Sequence, residues 1–169
     1  MHPKQTDAGA VRLGDEATPA AKELAEAVAA CIQCGTCSGS CPTAPAMDLT
    51  PRQVIHLLAQ RRLSEALASE AIWLCATCYT CTVRCPRDVP VSDLFARLRG
   101  LAAQEAGSES AGMTFQKAFL QVVERHGRMY EPELLLRYHR RQAPLDLLAA
   151  MPIGLTLLRK GKLAPLPER

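Results

Sequence analysis

The sequence predicts an all-α protein, and three observations carry that prediction. Apolar residues make up 48% of the 169-residue chain, yet aromatics are only 4%. Ala and Leu dominate, a composition that suits small packed helices better than a large sheet core. Strand-like alternation is nearly absent. Twice a Thr-Pro pair, Thr18-Pro19 and Thr50-Pro51, stands just before an apolar stripe of helical period. Threonine suits an N-cap and proline the first helical position.

Taken in order, residues 1–16 have no periodicity and are expected to form a flexible tail. A helix is expected from Thr18-Pro19 through residues 20–30, with Leu24, Ala27 and Val28 on one face and Cys31 at its end. The first cysteine run follows. The 33-residue spacer 42–74 should hold a helix from Thr50-Pro51, striped by Val54, Ile55, Leu57 and Leu58. A second short helix should follow, capped by Ser64, with Leu67, Ala71 and Leu74 facing inward. After the second cysteine run, Ser92 is expected to cap a helix bearing Leu94, Phe95, Leu98, Leu101 and Ala102.

Residues 106–112 (Ala-Gly-Ser-Glu-Ser-Ala-Gly) read as a linker. Beyond them Phe115, Ala118, Phe119, Val122 and Val123 follow helical spacing, and Gly127 is placed to end that helix. Glu131-Pro132 starts another, through Arg141. A Pro/Gly-punctuated segment closes the chain. This arm looks too thin for a core of its own, so its apolar faces call for cover by another surface.

All eight cysteines fall into two runs of one frame, C-x2-C-x2-C-x3-C-P. The first uses Cys31, Cys34, Cys37 and Cys41, with Pro42; the second uses Cys75, Cys78, Cys81 and Cys85, with Pro86. This spacing is a recognised signature of two-cluster bacterial ferredoxins. A cubane offers each iron one outward position, and a thiolate is a soft ligand suited to it. Three cysteines at two-residue gaps can curl around one cube, while the fourth, set off by a longer gap and a proline, ligates the other. The expectation is therefore two [4Fe–4S] clusters. Cluster 1 would take Cys31, Cys34, Cys37 and Cys85, and cluster 2 Cys75, Cys78, Cys81 and Cys41. Gly35 and Gly39 are expected to let the backbone approach the sulfides and adopt unusual φ values. Zinc ribbons need only paired C-x2-C units, so a third in-frame cysteine followed by C-P argues against zinc.

Because the spacer is helical, an α-helical ferredoxin domain with a helical C-terminal extension is expected, the strand-based ferredoxin being the alternative. The organisation that follows is a tail over 1–16, a two-cluster domain over 17–106, and a partner-docking arm over 113–169.

The net charge of +3 is uneven, about −2 over residues 1–95 and +5 over 96–169. The basic residues of the second half are scattered and lack interleaved aromatics, which favours a solvated or protein-docking face over nucleic acid. No secretory signal is visible. The apolar run 147–158 is 12 residues long and contains Pro152 and Gly154, short of the ~20 residues of a spanning helix. A cytoplasmic location is expected, where eight cysteines would not be disulfides. Trp73 precedes the second run and Tyr79 lies within it, and for both packing, cluster shielding and an interface are all open. His56, His126 and His139 lack ligand spacing and are assigned no chemistry.

Several segments together resemble the C subunit of heterodisulfide reductase. They are Cys-Ile-Gln-Cys-Gly-Thr-Cys-x3-Cys-Pro from Cys31, Met47-Asp-Leu-Thr-Pro-Arg-Gln53 and Ile72-Trp-Leu-Cys-Ala-Thr-Cys-Tyr-Thr-Cys81. Thr82-Val-Arg-Cys-Pro-Arg87, Gly127-Arg-Met-Tyr-Glu-Pro-Glu-Leu134 and the stretch 154–162 ending Arg-Lys-Gly-Lys complete the set. The resemblance covers roughly residues 25–165. It implies an electron relay between a flavin-bearing A subunit and a cysteine-rich B subunit in a hetero-oligomeric complex. Heterodisulfide reductase-like complexes also occur in sulfur-oxidising bacteria, and the Ala/Arg/Pro-rich composition leans toward that version. The chain itself carries no G-x-G-x-x-G fingerprint, no Cys-Cys-Gly motif and no spare cysteine, so no catalytic residue is assigned. Two other readings keep the cysteines: the iron–sulfur subunit of a glycolate, lactate or glycerol 3-phosphate dehydrogenase, and a cluster-containing redox sensor.

Overall fold

Thr18 Oγ1 accepts from the Ala21 N–H at 3.2 Å, and Pro19 occupies the first helical position, where its missing N–H costs nothing. Together they start α1 (Pro19–Ala27) in the computed structural model, which describes residues 18–104, 110–142 and 144–162. The expected tail over 1–16 lies outside those residues, as do positions 106–109 of the expected linker. α1 stops at Ala27, short of the expected 20–30 span, and the chain turns through 28–30 before Cys31. Leu24 and Val28 are buried as anticipated, while Ala27 is half-buried and Ala21 joins the buried face.

After the first cysteine run, α2 (Thr36–Gly39) and a 3-10 turn (Ala44–Ala46) lead to α3 (Pro51–Ala59). The Thr50 N–H and hydroxyl both donate to Gln53 Oε1 at 2.8 Å, satisfying an N-terminal donor at the start of α3. α4 (Leu63–Ala68), α5 (Ala71–Leu74), α6 (Thr80–Val83) and α7 (Val91–Gln104) follow. Among the described residues every regular element is helical, as the composition predicted.

Two local expectations are corrected. Ser64 lies inside α4; the cap position is Arg62, whose guanidinium meets both carboxylate oxygens of Glu65. That exposed pair contributes little to stability. The stripe expected to run on to Leu74 is also broken. Asp48 accepts from the Ser69 hydroxyl (2.9 Å), the Glu70 N–H (3.1 Å) and the Ala71 N–H (2.8 Å), so α5 starts afresh. The restart turns Ile72 and Trp73 inward and leaves Leu74 exposed. Trp73 is thus a core residue.

The chain divides into two units, Met1–Ser108 and Glu109–Arg169. In the first, α1 packs on α3, α3 on α4, and both α4 and α5 on α7. Leu24, Ile55, Leu58, Leu63, Ile72, Leu94, Phe95 and Leu98 are buried between them, each large apolar side chain contributing roughly 1.5–3 kcal/mol.

The second unit comprises α8 (Ala111–His126), α9 (Glu131–Gln142) and α10 (Pro144–Arg159). Ser110 Oγ accepts from the Met113 N–H at 3.1 Å, so residues 110–112 begin α8 rather than extend the linker. Gly127, at φ +69, ends α8 with its N–H on the Val123 carbonyl, as its position predicted. Ala118, Val122 and Leu134 form a small core flanked by Phe119 and Tyr130, so the arm does bury a cluster of its own. Glu133 ties the hairpin: its carboxylate meets His126, Arg125 and Arg137. The closing Pro/Gly-punctuated segment is helical through Pro152 and Gly154, and the Thr156 hydroxyl donates to the Pro152 carbonyl at 2.8 Å. Among the described residues no helix is long and apolar enough to cross a membrane.

Candidate metal centre

The two cysteine runs adopt the same backbone course. In each, a left-handed residue precedes a single helical turn: Gly35 (φ +80) before α2 and Tyr79 (φ +59) before α6. Gln33 and Thr77, at matching positions, are also left-handed, with φ +57 and +52. Gly35 therefore uses the freedom expected of it. Gly39 does not; it sits within α2, and its φ is not left-handed.

The turns are then pinned to the following long helices in the same way. Ser38 Oγ accepts from the Arg52 N–H (2.9 Å) near the start of α3, and Thr82 Oγ1 accepts from the Ser92 N–H (3.0 Å) near the start of α7. These contacts between distant residues draw each run against a helix N-terminus. Ser92 is accordingly not the cap that its position suggested. It is buried in α7, and its hydroxyl lies 3.3 Å from Cys81 Sγ.

Two partly open cavities result. Cys31, Cys34, Cys37 and Cys85 line the first, and Cys41, Cys75, Cys78 and Cys81 line the second. Each cavity thus gathers three cysteines of one run and the last cysteine of the other. Val91 lines both, which sets the cavities side by side. None of the eight cysteines is in a disulfide; Cys34 and Cys78 are exposed and the other six half-buried.

Small polar groups surround the sulfurs. Thr36 Oγ1 lies 3.3 Å from Cys34 Sγ and Thr43 Oγ1 3.4 Å from Cys41 Sγ. The N–H groups of Gln33 and Val89 donate to Cys31 and Cys85 Sγ at 3.4 and 3.3 Å. Hydrogen bonds from the Thr36 hydroxyl and N–H hold the Cys34 thiol below its ordinary pKa, and Thr80 does the same for Cys78. Burial pushes Cys37 up, partly offset by Ser38, and charge on Cys31 or Cys81 pushes it further the same way. Cys37 thus feels a cysteine of each run.

Sequence reasoning found every thiol but missed these partners. A signal was present, since Thr36, Thr43 and Thr80 each stand two residues after a cysteine. Nothing local marks Ser92, because it approaches Cys81 from another helix.

The donor set fits a cubane. Each cavity offers four thiols, one for each iron corner, and neither is lined by His, Asp or Glu. Among the described residues no three His, Cys, Asp or Glu side chains are arranged to hold a single metal ion. Hydroxyl and N–H donors directed at the sulfurs stabilise the thiolate form that ligation requires.

The pattern for a 4Fe-4S dicluster domain matches residues 5–89. The chain is 39% identical over 99 residues to the iron-sulfur C 2 subunit of the CoB--CoM heterodisulfide reductase of Methanocaldococcus jannaschii, covering 59% of this chain and 49% of that relative. It is 46% identical over 87 residues to the C2 subunit of the H(2)/formate:CoB-CoM heterodisulfide,ferredoxin reductase of Methanococcus maripaludis, covering 52% and 46%. Over 78 residues it is 39% identical to the C subunit of the ferredoxin:CoB-CoM heterodisulfide reductase of Methanosarcina mazei, covering 46% and 48%. The chain spans about half the length of the curated relatives it matches.

Proposed function

Since this chain belongs to the 4Fe-4S dicluster domain family, we propose that it is the electron-relay subunit of a heterodisulfide reductase-like complex. One [4Fe–4S] cluster is assigned to Cys31, Cys34, Cys37 and Cys85, and a second to Cys75, Cys78, Cys81 and Cys41. The observation that carries this reading is the three-plus-one sharing of thiols between two adjacent cavities. Bound clusters would supply one-electron transfer and nothing else. The chain's residues supply the rest: thiolates that hold, threonine and serine hydroxyls that tune, and Val91 as the wall between the two sites.

The relatives named above are subunits of oxidoreductases. The resemblance to heterodisulfide reductase suggests as partners a flavin-bearing A subunit and a cysteine-rich B subunit that performs the bond chemistry, and a cytoplasmic setting. The arm over 113–169 is the docking element. It exposes Leu120, Leu135, Leu136, Met151, Ile153 and Leu155, more apolar surface than an isolated three-helix unit needs. Oxidation of a sulfur substrate is the proposed metabolic setting.

Anaerobic purification tests the reading. About eight irons and eight sulfides per chain are expected for two cubanes, and a cysteine-rich protein of the B type should copurify. Zinc in place of iron would sink the cluster assignment, and a chain that purifies alone would sink the complex.

A further inference from the structure

We infer that Arg52 and Arg87 make the first cavity the resting place of the electron, so that the cluster held by Cys31, Cys34, Cys37 and Cys85 is reduced more readily than its neighbour. The inference rests on the two-cluster reading above. Both guanidinium-bearing side chains line the first cavity, whereas no charged residue lines the second. Arg52 enters from the start of α3 and lies over the Gly35 turn, its Cδ 3.7 Å from where a Cβ on Gly35 would stand. Arg87 follows Cys85-Pro86 and reaches across to donate from Nε to the Ala30 carbonyl at 3.3 Å. The acid next in sequence, Asp88, does not line the cavity.

Around the second run the charges oppose one another. Arg99 donates to the carbonyls of Ile72 and Cys75 at 3.3 and 3.2 Å and to Thr77 Oγ1 at 3.1 Å. Asp93 accepts from the Tyr79 hydroxyl at 3.0 Å, and Tyr79 feels the fields of both Asp93 and Arg99. Hydroxyls lie beside sulfurs at both sites, and at the first the Gln33 and Val89 N–H groups also donate to Cys31 and Cys85, acting in the same direction as the two arginines. Reduction places one more negative charge on a cubane, and adjacent cations stabilise the reduced form more than the oxidised one. An electron entering at either site therefore settles at the first.

The test is an electrochemical titration of the full chain carrying its clusters, followed by EPR. Two one-electron waves are expected. In the Arg52→Gln/Arg87→Gln double variant the upper wave should fall by roughly a tenfold loss in the reduction equilibrium, about 59 mV for one electron, and the lower wave should stay in place. The Arg52→Lys/Arg87→Lys variant, which keeps both charges, should restore the upper wave. If the Gln double variant fails to assemble, each single Gln variant should show a smaller shift of the same sign. Movement of the lower wave instead, no movement at all, or an equal fall in the Lys variant overturns the inference. Iron and sulfide analysis separates the two failures. Fewer than two clusters per chain defeats the cluster reading itself, while a full complement with the wrong wave response defeats this inference alone.

Discussion

Tyr79 occupies the position that Gly35 holds in the other run, and it accepts a left-handed backbone that costs an L-residue roughly 1–2 kcal/mol. The turn needs that geometry because it points the flanking thiols into one cavity, so residue identity yields to ligand geometry. The hydrogen bond from Tyr79 to Asp93 helps hold the strained position and raises the tyrosine's pKa. At this scale the decisive residues are the last cysteines of the runs. Cys41→Ser is expected to perturb the cluster otherwise held by Cys75, Cys78 and Cys81. Cys85→Ser should perturb the one held by Cys31, Cys34 and Cys37. Low-temperature EPR of the two variants, compared by which signal each loses, checks the crossing; the reverse assignment would mean that each run builds its own cube. The eight thiols were legible from spacing alone. Ser92 was misread as a cap because a serine ahead of an apolar stripe has the same local signature whether it caps a helix or faces a distant sulfur.

Helices in this chain start and stop for reasons that are mostly local, and the Thr18, Ser110 and Gly127 caps illustrate how far such signals reach. Asp48 illustrates where they end. It sits more than 20 residues ahead of the N–H groups it accepts from, yet it decides that α5 restarts and that Leu74 turns outward. The α8–α9 hairpin depends likewise on a contact across a turn. Hydrogen bonds from His126 and then Arg137, with Arg125 nearby, hold the Glu133 carboxyl down at about 2. A carboxyl with a lowered folded pKa contributes stability that is complete above its ordinary value, 4.5, and is lost as pH falls toward about 2. Amide exchange in α8 and α9 should therefore accelerate through that acid window. Glu133→Gln should show the faster exchange already at neutral pH, with the acid step from this site removed. Unchanged exchange in the variant would show that the Glu133 contacts do not hold the hairpin.

Across the whole molecule, the two units are built on different principles. Met1–Ser108 packs an apolar core between α1, α3, α4, α5 and α7, but its thiol-bearing turns α2 and α6 are four residues long and bury no side chain. Elements that short do not persist without a partner. In the proposed holoprotein that partner is the pair of clusters, and metal binding is then part of folding. Glu109–Arg169 contains no cysteine and has its own small core. Removing the clusters with an iron chelator under oxidising conditions should therefore expose amides over roughly residues 31–50 and 75–90 to rapid exchange. The protection of α8 and α9 should change little. Equal loss in both units would contradict this division of labour.

Signals within the one-dimensional chain were enough for the helical class, the helix starts at Thr18 and Thr50, the stop at Gly127 and the full set of thiols. Each of these is set by interactions within about four residues or by a repeat visible in one dimension. Tertiary structure decided that Arg52 and Arg87 line the first cavity and that Ser92 faces Cys81. It also decided the restart at α5 and the helical run through Pro152. Those features rest on contacts between residues far apart in the chain or on the packing of one helix against another. No local spacing encodes them, because the same short pattern can meet different neighbours once the chain has folded.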